Sequence, residues 1–153
     1  MPLALRRFFV LQAFLIWQGG FFFYAAVVVP TGTAVLESAK LQGAITQRTT
    51  NWLNAFGVAS LATLAWDQLA SPIRCRKRWL AWSLMAIALA VQITLHPVLD
   101  RLFDAETALY IDRPTFKYWH GIYLWATAVH WLAGLAAVWF MLLAWHTESR
   151  SHA

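Results

Sequence analysis

Three pairs of polar side chains recur at steps of three and four inside otherwise apolar stretches: Asn51 and Asn54, Gln92 and His96, His120 and Tyr123. On a helix such steps put both members of a pair on one face. Each of these groups costs free energy in hydrocarbon unless it finds a partner. The last stretch continues its stripe through Thr127 and His130, the spacing of a seam that faces other helices. His120 and His130 lie about 15 Å apart along such a helix, too far to ligate one metal ion together.

Two kinds of chemistry suit this set. Asn, Gln, His and Thr can hydrogen-bond between helices, worth on the order of 0.6 to 2 kcal/mol each. Alternatively His96 and His120, which flank one turn at similar depth, could hold a metal ion or the two axial positions of a haem between antiparallel helices. No carboxylate or Cys shares that depth within a span, so no metal-ligand set is assigned. His130, near mid-membrane, reads as a packing contact that donates to a neighbouring backbone or side chain. No HExxH, GxSxG, P-loop or dinucleotide-binding glycine motif occurs, and no catalytic residue is assigned.

The elements that must carry these residues are set by composition. The chain is 60% hydrophobic and only 12% charged, about half the charged fraction of a soluble domain. Its apolar runs at about 8–30, 51–70, 79–98 and 116–145 are each long enough to cross a bilayer. The expected fold is an all-α, antiparallel four-helix membrane bundle in a single domain, with short interfacial segments in the outer loops. The first run follows Arg6 and Arg7 as a signal peptide would, but it exceeds a signal h-region of roughly 7 to 15 residues and reads as a retained span. Loop 31–50 carries Val35, Leu36, Leu41 and Ile45 among polar residues, the pattern of a short interfacial helix. Pro114 suits the start of the last helix.

Basic residues gather at helix ends, which argues against a nucleic-acid partner. Arg6, Arg7, Arg74, Arg76, Lys77, Arg78 and Arg150 fall on one side of the expected bundle. Lys40, Arg48, Arg101, Arg113 and Lys117 fall on the other, offset by Glu37, Asp100, Asp104, Glu106 and Asp112. The positive-inside rule then predicts both termini in the cytoplasm. Arg74, Arg76, Lys77 and Arg78 are candidate contacts to anionic lipid headgroups. With that topology Asn51, Asn54, Gln92, His96, His120 and Tyr123 form a polar cluster in the outer third of the membrane, and Thr127 and His130 lie deeper. The single Cys75 excludes an intramolecular disulfide.

The segments QGGFFFYAAVVVPTG (18–32), QGAITQRTTNWLNAFG (42–57) and FKYWHGIYLWATAVHWLAGL (116–135) carry a family likeness. Through them the chain resembles bacterial four-helix membrane proteins of unknown function related to transmembrane protein 205. Gly19, Gly20, Pro30, Phe116, His120 and Tyr123 match in place. The resemblance implies four spans and raises the standing of the outer loop and His120. It assigns no biochemical role, and His130 and the many Trp depart from the family. The expectation is a multi-pass protein of the bacterial cytoplasmic membrane, non-enzymatic, serving as an accessory or assembly subunit that packs against other membrane subunits. A haem- or metal-binding redox protein and a small transporter or channel are the alternatives.

Overall fold

The computed structural model describes residues 3–104, 106–107 and 109–150. Helix α1 (Leu3–Phe23) runs through a π-helical turn (Tyr24–Val28) into α2 (Val29–Val35). Helices α3 (Ala39–Ala70), α4 (Arg76–Leu102) and α5 (Arg113–Arg150) follow, with a short antiparallel pair, β1 (Phe103–Asp104) and β2 (Leu109–Tyr110), between α4 and α5. Packing follows chain order: α1 on α3, α3 on α4, α4 on α5.

Three helical segments, Leu3–Val35, Arg76–Leu102 and Arg113–Arg150, are long and apolar enough to cross a membrane. Helix α3 is long enough but falls short of that apolarity, because Thr50, Asn54, Ser60, Asp67 and Gln68 lie along it. All five are buried in the bundle. Outside, the molecule is apolar: Leu15, Phe22, Ile87, Trp125, Leu132 and Trp139 are exposed. Polar groups inside and large hydrophobics outside reverse the usual order of a water-soluble domain.

The helices run past their expected ends. Pro30 was expected to close the first span, and instead helix continues to Val35. Proline has no N–H to give back and its ring crowds the preceding turn. The chain relieves this by widening that turn, with Val29 N–H reaching Tyr24 O. The expected separate interfacial helix in loop 31–50 is likewise absorbed. Helix α3 starts at Ala39, where the Ser38 hydroxyl accepts from Leu41 N–H at 3.3 Å, and Glu37 makes the tight reversal at φ 49. Residue Asp112 caps α5, accepting from Thr115 N–H at 3.2 Å with Pro114 in the first turn.

Along its axis the bundle has three layers. At the end that holds the chain's first helical turn and the close of α5 lies a buried ionic network. Asp67, fully buried, sits 2.9 Å from Arg6 Nε and 2.5 Å from Arg78 Nη2, and accepts from Trp145 Nε1 at 3.1 Å. The guanidinium of Arg6 also grips both oxygens of Glu148, at 2.9 and 2.8 Å, and Arg7 adds a 3.0 Å contact to Glu148. Residues from α1, α3, α4 and α5 thus meet in one cluster. Above it is an apolar plug built from Val10, Phe14, Leu61, Leu64, Met85, Ala137 and Met141. Above the plug is a cavity.

Candidate functional site: a cavity in the bundle

The cavity measures about 470 Å³ and is lined from α1, the π turn, α2, α3, α4, the β-hairpin and α5. Its floor is set by close packing. Trp17 from α1 and His130 from α5 pack with ring centroids 4.3 Å apart and planes tilted by 34°, and Gly57 of α3 lies beside both. A Cβ at Gly57 would meet Trp17 Nε1 at 3.2 Å and His130 Cε1 at 3.3 Å. Gly57 therefore makes room for the histidine. His130 Nδ1 lies 3.4 Å from Gln92 Oε1. An amide oxygen only accepts, so in the tautomer that makes this contact a hydrogen bond the proton sits on Nδ1 and the lone pair on Nε2.

Several polar atoms along this wall find no partner among the described residues. They are Gln92 Nε2, His130 Nε2, Trp131 Nε1 and Gln47 Oε1, all on residues that line the cavity. Gln92 and His130 are 4% and 2% exposed. An unsatisfied buried polar group costs about 1–3 kcal/mol, and other such atoms lie outside the cavity, on Arg6, Arg7, Gln18, Ser60, Gln68 and Arg78.

The mouth is a second polar group. His96 Nδ1 lies 2.9 Å from Asp100 Oδ2, its Nε2 lies 3.1 Å from the Gln47 carbonyl, and Gln47 Nε2 donates to Asp100 Oδ1 at 2.6 Å. Pro97, inside α4, removes one backbone bond from the stretch that carries His96 and Asp100. His120 stacks on Phe116 at 5.3 Å and 14°, and Phe116 in turn packs on Phe103 and Tyr110 of the hairpin. The Tyr123 hydroxyl is a hydrogen-bond neighbour of Asn54. Across the cavity Tyr24 OH donates to Thr46 Oγ1 at 2.9 Å, which ties the π turn to α3. Gly32 lets α2 lie against Gln42, since a side chain there would collide with the Gln42 amide.

Of the residues singled out by spacing, Asn54, Gln92, His96, His120, Tyr123, Thr127 and His130 all line this cavity. Asn51 does not. It is exposed and borders a separate groove between α3 and α4, beside Asn54, His96 and Asp100. His96 and His120 share the cavity wall, but both ring nitrogens of His96 already face an oxygen, so ligation of a metal or haem iron there would break one of those contacts. Among the described residues no three His, Cys, Asp or Glu side chains converge. Arg74, Arg76 and Lys77 are exposed, as a headgroup contact requires. Arg78 departs from that expectation: it is 3% exposed and turned inward onto Asp67, because that carboxylate is buried and needs a counter-charge.

Spacing did not reveal Gln18, Tyr24, Thr46, Gln47 and Trp131. Gln18 reaches from α1 to donate to the Trp131 carbonyl at 3.3 Å. Only Tyr24, four residues beyond the Gly19-Gly20 pair and six before Pro30, carried a signal, since a proline inside a helical run points to a widened turn nearby.

These features define a helical protein with three helices long and apolar enough to span a membrane and, within its bundle, a mainly apolar cavity edged by polar side chains. No family model, curated protein or solved structure matches the chain.

Proposed function

We propose that this chain is a four-span membrane protein with both ends on the cytoplasmic side, and that it binds a small molecule in its outer-half cavity. One observation carries the reading: a cavity of about 470 Å³, within the usual size of ligand sites, roughly 300 to 1,000 Å³, lies against buried Gln92 and His130, whose Nε2 atoms have no hydrogen-bond partner among the described residues. Placing α3 as the fourth span is supported by its polar side chains, which are buried against the other helices instead of facing lipid. The solid apolar plug beneath the cavity favours a binding site over a continuous channel. The test is thermal unfolding of the purified protein in mild detergent against a panel of small lipid-soluble compounds. A binder at 100 times its Kd adds about 2.7 kcal/mol. Thr127→Phe, which fills the cavity, is expected to abolish that gain; a gain that survives it places binding elsewhere.

A second reading, an accessory subunit, rests on a different surface. Tyr118, Trp125, Leu132 and Trp139 follow one another at seven-residue steps on α5, all exposed. That is the period of a helix-packing seam. Trp125→Ala with Trp139→Ala is expected to release any co-purifying subunit without changing the unfolding temperature of the chain itself.

A further inference from the structure

We infer that the cavity accepts an uncharged ring bearing a carbonyl or hydroxyl oxygen, the chemistry of a quinone or quinol headgroup, with that oxygen seated on Gln92 and His130 at the floor. The inference rests on the pocket reading and names its ligand class.

The floor groups state what they need. Among the described residues Gln92 Nε2 and Trp131 Nε1 are donors without acceptors, and in the tautomer that pairs Nδ1 with Gln92, His130 Nε2 is an acceptor without a donor. A carbonyl oxygen satisfies the donors, and a hydroxyl satisfies a donor and the His130 lone pair together. Neither donor is charged. No Lys or Arg lines the cavity, and its one carboxylate, Asp100, is at the mouth. An anionic head such as a fatty acid or phospholipid would therefore be desolvated without a counter-charge. The walls are largely rings, including Trp17, Phe21, Tyr24, Tyr123 and Trp131, and such surfaces favour stacked or edge-on contact with another flat ring.

An apolar tail would leave by parting side chains between α1 and α5. α1 and α5 are the pair of adjacent long helices that do not pack closely backbone to backbone. Along their outer halves they are joined by the Gln18 bond to the Trp131 carbonyl and by the stacked Phe22 and Trp131 rings, 6.3 Å apart. The π turn carries the first helix toward α3 through Tyr24 and Thr46. A tail leaving between α1 and α5 would pass Trp131 and enter lipid.

The experiment measures the unfolding temperature of the full chain in detergent against a decyl-tailed benzoquinone, with oleate in parallel. The expected result is a saturable rise with the quinone and none with oleate. Gln92→Leu and Trp131→Phe should each raise the half-saturating concentration at least about fivefold, the scale of one lost hydrogen bond, while lipid-facing Trp139→Phe leaves it unchanged. Should Gln92→Leu fail to fold, Trp131→Phe, which keeps an aromatic ring and loses the N–H, decides. If oleate saturates and the quinone does not, the ligand class is overturned and the pocket reading stands. If the quinone saturates equally in all variants, the floor assignment is wrong. If nothing saturates, both readings fall.

Discussion

Asp67 is the side chain on which the ionic end of the bundle depends most, and its removal makes a quantitative test. It is fully buried and takes contacts from Arg6 at 2.9 Å, Arg78 at 2.5 Å and Trp145 at 3.1 Å. Arg6 retains a second carboxylate, the two-pronged contact to Glu148. Arg78 has no other carboxylate partner among the described residues, and its Nη1 is already unsatisfied. In Asp67→Leu the loss therefore falls on Arg78, left as a buried cation without its counter-charge. Breaking a buried pair in this way costs about 3–5 kcal/mol. For a chain of this size each kcal/mol moves Tm by about 2–4 °C, so a drop of about 6–20 °C is expected. The assay is far-UV circular dichroism during heating in detergent micelles. The double variant Asp67→Leu with Arg78→Met removes both charges and should regain most of the loss, since a buried pair exchanged for apolar groups is often near neutral. Equal losses in the single and double variants would show that packing at Asp67, and not charge pairing, holds the helices together. A single-variant loss under about 1 kcal/mol would refute the network as a structural element.

Other expectations are more local. Gly57→Val should cost about 1–3 kcal/mol by overpacking, since even a Cβ there meets Trp17 and His130 at 3.2 and 3.3 Å; unfolding by circular dichroism checks it, and the quinone response should be lost as well. Glu148→Gln should destabilise less than Asp67→Leu, because Arg6 keeps Asp67 and Arg7 is partly open to solvent. The Asp104 carboxyl is held below the ordinary carboxylate range, first by the Thr107 hydroxyl and then by the Glu106 N–H. A lowered folded value means that its contribution is present above the unfolded pKa and is lost as pH falls through the folded one. Proteolysis at the hairpin should therefore rise on acidification in the parent chain and be pH-insensitive over that range in Asp104→Asn. The proposed orientation puts the lone Cys75 inside, so a membrane-impermeant maleimide should label it only after the cells are opened.

What could be read in advance followed from energetics that a linear pattern records. A polar residue in an apolar run must point inward, and helical steps then fix which polar residues share a face. Helical steps join Gln92 to His96 on one face and His120 to Tyr123, Thr127 and His130 on another, and both faces line the cavity, whereas Asn51 does not and the cavity itself leaves no mark in the pattern. Pattern fails where a charge sits at a helix end, because the same residue satisfies two rules. Arg78 belongs to a basic cluster that the positive-inside rule would assign to the cytoplasmic side, yet it also lies one helical hairpin from Asp67, a fully buried carboxylate. Spacing from Arg74 to Arg78 does not distinguish the two, whereas burial does: Arg78 is 3% exposed and Arg76 and Lys77 are exposed. The same ambiguity hid Arg6 and Glu148, which lie 142 positions apart and meet only because the first and last helices end at one level. Long-range charge pairing has no periodicity to reveal it. Yet the cost of burying Asp67 alone required cations from elsewhere in the chain, and the basic residues at neighbouring helix ends were the groups within reach. A charged residue inside a span thus predicts the existence of its partners more securely than their identity.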